Sequence, residues 1–160
     1  MFQVAQPQFA PPRFTALPEY SPELGPCPSL DEQFVALLDA YRSHGGLARL
    51  QEVVARFKQC HGPDIAKLAQ WIATRQVICF EWQSQSWLPL FQFSRIDMLP
   101  QATLGPLLAE LVPIYDHWQL AHWFVRPHAQ LDQCTPIETL APDLAGVLRA
   151  AHCDRLAAAG

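Results

Sequence analysis

Four residues, Thr135-Pro136-Ile137-Glu138, restrict the fold of this chain more than any others. They spell a capping box with proline at the first helical position. Thr135 is placed to accept the N–H of Glu138, Glu138 to reach back to Thr135, and Pro136 lacks a donor where none is needed. A helix is therefore expected to begin here. The box stands inside Tyr115–Leu148, where two apolar helical patterns flank a tight polar connector. This punctuation implies a small helical domain.

Similar signals organise the rest. Ser29-Leu30-Asp31-Glu32 is a second capping box. It predicts a helix through about Arg42, with Leu30, Phe34, Leu37, Leu38 and Tyr41 on one face. Gly45-Gly46 ends that helix. A second helix is expected with Leu47, Leu50, Val53, Val54 and Phe57 at helical spacing. His61-Gly62-Pro63-Asp64 is a turn, and Pro63 suits the start of a third helix carrying Ile65, Leu68, Ala69 and Ile72. Three short helices with tight turns are compatible with a helix-turn-helix. Val77–Trp82 and Ser86–Phe93 flank Gln83-Ser84-Gln85 and predict a β-hairpin. Pro89 cannot donate to a ladder, which places it at an edge or irregularity. A hairpin directly after a third helix is the arrangement of a winged helix, and it should pack on the helices.

Met98-Leu99-Pro100 marks a boundary. Beyond it, Leu104, Leu107, Leu108 and Leu111 form a helical stripe limited by Pro113. Asp116 is placed to cap a helix bearing Trp118, Ala121, His122 and Phe124, which Pro127 ends. Pro142-Asp143 opens a last helix with Leu144, Val147, Leu148 and Ala151, and its Ala157–Gly160 end should fray. The expected fold is mainly α with one β-hairpin. A degenerate winged helix-turn-helix spans 29–99, and a small helical domain spans 100–160. Residues 1–28 hold seven of the fifteen prolines and should be extended. Phe2, Phe9, Phe14 and Tyr20 are spaced along that arm. It is either a disordered tail or an arm that docks on its own body or on a neighbouring subunit.

Composition narrows the function. Half of the 160 residues are apolar, enough for a real core, and the net charge is −4. That balance argues against a whole-surface nucleic-acid binder. Cysteines 27, 60, 79, 134 and 153 form no CxxC pair and are odd in number, which favours reduced thiols in a cytoplasm. The N-terminus lacks the basic flank and apolar run of a signal peptide. No apolar run reaches the roughly 18 residues of a membrane-spanning helix.

Catalytic and metal signatures are missing. Cys60 and His61 are adjacent, which is poor chelate geometry. His117 and His122 fall about 140° apart on a helix. No zinc spacing appears, so no metal is expected. There is no nucleophile elbow, phosphate-binding glycine loop or dinucleotide fingerprint. A cysteine–histidine nucleophile leaves no local signature, because its partners lie far apart in the chain. Cys27, Cys60 and Cys134 nevertheless sit in plain contexts, and Cys79 lies in an expected buried strand. The chain reads as a non-enzyme without cofactor. On the third helix Lys67, Gln70, Thr74 and Arg75 are of types that contact phosphates and base edges. Two cations are a thin footprint, Asp64 sits at the end that would approach DNA, and a helix-turn-helix kept as scaffold accounts for the same residues. The five tryptophans read mostly as core, with any exposed one marking a contact surface.

A resemblance takes the reading further. Trp123-Phe124-Val125-Arg126-Pro127-His128-Ala129-Gln130-Leu131, followed by Thr135-Pro136-Ile137-Glu138-Thr139-Leu140, resembles the C-terminal toxin-binding domain of the MbcA/ParS/Xre antitoxins. There a tryptophan helix ends in Pro-Asn. A leucine, a glycine turn, Thr/Ser-Pro-hydrophobic-Glu and a final leucine follow. The likeness covers roughly residues 105 to 155. Upstream, the segment from Phe80-Glu81-Trp82 to Leu88-Pro89-Leu90-Phe91-Gln92-Phe93 resembles the Pro-x-Phe-Gln-Phe hairpin that follows the helix-turn-helix in some members. The sequence departs from the pattern in three places. His128 stands where asparagine is usual, Asp132-Gln133 where glycines are usual, and the N-terminal helices are poor in basic residues.

The resemblance implies a bacterial-type toxin–antitoxin protein that neutralises a RES-type, NAD-degrading toxin by protein–protein contact, often within a larger assembly. Many members also bind their own promoter DNA. The expected partner contacts are Arg126, His128, Leu131 and Thr135, with Arg149 and Arg155 on the last helix. A short polar connector on a rigid scaffold is where recognition residues tend to sit, although helix termination alone would also account for it. Two other expectations stand beside this one. The first is a transcriptional regulator binding DNA through Lys67, Gln70, Thr74 and Arg75. The second is a partnerless dimerisation module forming a homo-oligomer.

Overall fold

A computed structural model of the protein describes residues 25–160. The aromatic and proline-rich arm expected over 1–28 falls outside the described residues up to position 24. The fold is mainly helical with a small three-stranded antiparallel sheet. Among the described residues no helix is long and apolar enough to cross a membrane.

The first helix, α1 (Leu30–Tyr41), starts where its capping box places it. Ser29 Oγ accepts from Glu32 N–H, and Glu32 accepts from Ser29 N–H at 2.7 Å. A 3-10 turn over Arg42–His44 follows. Gly45 and Gly46 then take positive φ, 94° and 83°, which few other residues tolerate. This reversal swings the chain into β1 (Leu47–Arg49), a strand where the apolar spacing predicted the start of the second helix. Leu47, Ala48 and Arg49 pair with Pro89, Leu88 and Trp87. An open strand edge therefore overrides helical periodicity here. Helix α2 (Leu50–Gln59) follows, and Arg49 N–H at its start donates to Glu52 at 2.7 Å. Asp64, one residue past Pro63, caps α3 (Ile65–Ala73) through Lys67 N–H.

The hairpin is present but shorter than expected. It consists of β2 (Phe80–Trp82) and β3 (Gln85–Pro89), joined by Gln83 and Ser84, both left-handed. Such a two-residue loop matches the twist of an antiparallel pair. The sheet order is β1–β3–β2, so β3 is central. Pro89 sits at its end, where the chain passes into a 3-10 turn over Leu90–Gln92. Val77–Cys79 is not strand: Gln92 takes the backbone groups of Ile78, and Cys79 N–H donates to His117. The Gln92 side chain, 1% exposed, accepts from Ile78 N–H at 2.7 Å and donates to Ile78 C=O at 2.9 Å.

The C-terminal helices are α4 (Leu104–Leu111), α5 (His117–Val125), α6 (Pro136–Thr139) and α7 (Leu144–Ala159). Asp116 caps α5 in a reciprocal box with Gln119, and Asp143 caps α7 by accepting from Gly146 N–H at 2.9 Å. Helix α7 continues through the alanines that were expected to fray.

The core does not divide at residue 99. Phe34, Leu37 and Tyr41 of α1, with Ile78 and Phe80, belong to the same apolar cluster as the leucines of α4, Phe124 of α5 and Val147 of α7. A second cluster joins β1, α2, α3 and β3 through Ala48, Val53, Phe57, Leu68 and Leu88. Helix α1 therefore packs with the C-terminal helices, while its Phe34 also meets Trp82 and Trp87 of the hairpin. The Tyr41 hydroxyl confirms its docking by donating to the Ala121 carbonyl at 2.6 Å inside the core. Of the tryptophans only Trp123 is fully buried. Trp71, Trp82, Trp87 and Trp118 are half-buried, and Trp82 stacks on Phe34 at 3.8 Å between ring centres.

Gln92 gives the first prediction. Gln92→Ala leaves the buried N–H and C=O of Ile78 without partners, each worth about 1–3 kcal/mol. Urea denaturation should show a loss of about 3 kcal/mol. A loss under about 0.5 kcal/mol would show that the Ile78 groups find other partners.

Candidate functional site

The connector between α5 and α6 is closed by its own backbone. Arg126 is the last cap of α5, extended at φ −93°, and its N–H donates to His122 C=O. From there His128 N–H donates to Cys134 C=O at 3.0 Å, while Leu131 and Gln133 N–H both donate to His128 C=O. A 3-10 turn over Ala129–Leu131 fills the loop. Asp132 and Gln133 take left-handed conformations at φ 53° and 65° and turn the chain back. The Thr135 box then starts α6, with the Thr135 hydroxyl donating to Glu138 at 2.6 Å and the Thr135 N–H at 3.4 Å. These bonds, together with the weaker pull of His44, hold the Glu138 carboxyl below the usual range.

One carboxylate fastens this loop to the last helix. Asp154 Oδ2 on α7 accepts from the Trp123 indole N–H at 2.7 Å and from the Tyr115 hydroxyl at 3.3 Å. His128 Nε2 lies 3.2 Å from both Asp154 oxygens. Because His128 Nδ1 accepts from Gln130 N–H, the neutral ring carries its proton on Nε2 and donates it to Asp154. Burial, then the Asp154 charge, pushes the Tyr115 phenol up. Side chains of His128 and Asp154 are 15% and 24% exposed, so the cluster is a rim with a fixed floor.

The six expected partner contacts do not converge on one spot. Arg126 is exposed on the loop, and His128 sits beside it on Asp154. Leu131 points inward, 7% exposed, and belongs to the core that supports the loop. Thr135 is engaged with Glu138. Arg149 lies 3.9 Å from Asp143, and Arg155 lies 3.3 Å from Glu110 on α4. Six residues apart on a helix, these two arginines point about 120° away from each other. Asp154 holds the site together through Trp123, Tyr115 and His128 and was not singled out in the sequence. No local signal marks an aspartate whose partners lie 26 to 39 positions away.

The expected DNA contacts are also dispersed in role. Lys67 and Gln70 are exposed on α3. Thr74 turns its hydroxyl back to Gln70 C=O at 2.8 Å. Arg75 reaches across to the end of α4, donating to Val112 C=O at 2.9 Å and Tyr115 C=O at 2.7 Å. Its charge thus caps a helix C-terminus, where the macrodipole favours a cation.

Thiol and imidazole chemistry is muted. Burial, then the Glu81 charge, pushes the Cys79 thiol up to about 11, which keeps it protonated at neutral pH. Among the described residues no group of three or more histidines, cysteines and carboxylates could hold a metal ion. His117 Nδ1 accepts from Cys79 N–H at 3.2 Å. Burial and then the Arg75 charge hold His117 below the usual histidine value, against a smaller opposing pull from Asp116. Burial and then Arg126 do the same for His122.

Two predictions come from this geometry. Both lowered histidines are neutral in the folded state, whereas the unfolded chain protonates them near pH 6.5. Below about pH 6.5 the unfolded state binds more protons, so stability falls as pH drops toward the lowered folded values. Melting temperature should decline as pH falls below about 6.5, and the double variant His117→Gln, His122→Leu should flatten that decline. The lowered carboxylates Asp97, Glu110 and Glu138 act in a separate, more acidic window. Asp154→Ala removes the acceptor for Trp123 and His128. It should lower stability by about 2 kcal/mol, as for hydrogen bonds to a charged group, and shift Trp123 fluorescence. An unchanged urea midpoint would mean that the carboxylate does not hold the loop.

No protein-family model matches the chain, and neither the curated proteins nor the solved structures contain a match to it.

Proposed function

We propose that the chain is an antitoxin-like binding protein whose C-terminal helices hold and silence a RES-type, NAD-degrading toxin. The observation that carries this reading is the left-handed pair Asp132-Gln133. It stands where the resembled antitoxin domain has glycines, the residues that adopt positive φ without strain. A positive-φ turn at this point of the chain supports the resemblance although the glycines are absent. Around that turn the loop is braced by Asp154 and Leu131, and Arg126 is presented with no ion pair to it among the described residues. A rigid, charged rim loses little freedom on binding, which favours protein–protein recognition. The protein acts without cofactor as an inhibitor rather than a catalyst. Its unpaired cysteines suit a reducing cytoplasm.

One observation favours a second reading. The order α1–β1–α2–α3–β2–β3, with sheet order β1–β3–β2, supports a winged helix-turn-helix reading. We read the N-terminal half as a degenerate one that serves as scaffold. Lys67 is the one cation on α3 itself, Arg75 is spent on α4, and the hairpin loop Gln83-Ser84 carries no charge.

The test is to mix the full chain with a RES-type toxin from the same source and follow NAD loss and complex size. A stoichiometric complex that stops NAD loss is expected, and Arg126→Glu should weaken it at least tenfold. Undiminished NAD loss with no complex sinks the toxin reading. Salt-sensitive retention of promoter DNA without a protein partner would move the function to the N-terminal half.

A further inference from the structure

A cleft of about 1060 Å³ opens between the N-terminal half and α6–α7. Its size is near the upper end for pockets that hold small organic ligands. The apolar part of its lining comes from both sides, with Phe91, Phe93 and Met98 facing Ile137, Leu140 and Leu144. Three basic side chains join them: His44 after α1, Arg56 on α2 and Arg95 in the 94–99 loop. Among the described residues no aspartate or glutamate contributes to the lining, although the whole chain carries net charge −4. Arg56 and Arg95 are exposed, and neither is in an ion pair among the described residues. The carboxylate that His44 feels, Glu138, is bound to Thr135 and lies outside the lining.

The arginine-bearing loop is held in shape. Ser94 N–H donates to Leu99 C=O at 2.8 Å, and Met98 N–H donates to Ser94 C=O at 3.0 Å. Met98 takes a left-handed φ of 55° and buries its side chain, which anchors the loop while Arg95 stays free. On the facing side, Ile137 is fixed by the capping box of α6.

The geometry points to a binding site for a small amphipathic organic anion. Its apolar body would lie against Phe91, Met98, Leu140 and Leu144, and its carboxylate or phosphate between Arg56 and Arg95. Guanidinium groups match such heads with forked, charge-assisted hydrogen bonds. Burial of the apolar body supplies the remaining affinity. The cleft shares no residue with the Arg126–His128–Asp154 rim, so this site stands independently of the partner-binding function. A bound anion bridges α2 to α6 and α7, and it stabilises the folded chain by an amount that rises with the logarithm of ligand concentration above Kd.

The full chain tests this with two anionic probes, decanoate and 1-naphthyl phosphate. The neutral counterparts are 1-decanol and 1-naphthol, and inorganic phosphate serves as the head alone. Titration calorimetry reads affinity, and methyl NMR shifts of Met98, Ile137, Leu140 and Leu144 read location. At least one anion should saturate a single site with shifts confined to the cleft and a raised melting temperature. Its neutral counterpart should bind at least fivefold more weakly, and inorganic phosphate should not saturate. Arg56→Gln and Arg95→Gln should each weaken the anion about fivefold, as for exposed ion pairs, and leave the neutral counterpart unchanged. These surface variants should melt as the parent does, which separates lost binding from lost folding. The proposal is overturned if neither anion outbinds its neutral counterpart, if the shifts fall elsewhere, or if phosphate alone binds as tightly.

Discussion

Burial of Tyr41 is the constraint on which the arrangement of the two halves depends. Its ring lies wholly inside the core, and its hydroxyl donates to the carbonyl of Ala121 in the middle of α5. Burial raises the phenol's pKa far above its usual value, so the hydroxyl remains a donor at any ordinary pH. Phe34 and Leu37 lie on the same face and bury their side chains in the same cluster. Burial of large side chains like these contributes about 1.5–3 kcal/mol each. Helix α1 is thus the first described element yet shares one core with α4, α5 and α7.

Three polar side chains complete what apolar burial leaves undirected. Gln92 satisfies both backbone groups of Ile78, Arg75 takes the carbonyls of Val112 and Tyr115, and Asp154 gathers Trp123, Tyr115 and His128. Apolar contact is tolerant of small rotations. A buried hydrogen bond is not, because a missed donor or acceptor loses its water without gaining a partner. Arg75 fixes α3 against α4, and Asp154 fixes the connector against α7. The rim that presents Arg126 and the cleft lined by Arg56 and Arg95 both sit on elements held in this way.

The two candidate surfaces differ in what they can recognise. The rim is polar and braced, with Arg126 in no ion pair among the described residues and His128 held on Asp154. The cleft is concave and apolar, with cations at its edge. A protein surface suits the first, and a small ligand with an anionic head suits the second. They share no residue, yet α6 and α7 contribute to the cleft while α7 also carries the Asp154 that braces the rim.

The sequence by itself determined the punctuation of the chain. Ser29 and Glu32, Asp116 and Gln119, Thr135 and Glu138, and Asp143 each set a helix start through bonds that span three residues. Such signals are complete within one turn and need no other part of the molecule. The polar connector after α5 was legible too, between Pro127 and the Thr135 box. Tertiary structure alone decided the rest. Strand β1 exists because β3 offers an edge to Leu47–Arg49, against their helical spacing. Ile78 leaves the hairpin because a glutamine 14 positions later takes its backbone. Leu131 turns inward, and Arg75 turns from a DNA-facing candidate into a helix cap. Asp154 gains its role from partners up to 39 positions away, and Tyr41 from one 80 positions away. Contacts at such separations depend on how the helices dock, and no local pattern of residues encodes them.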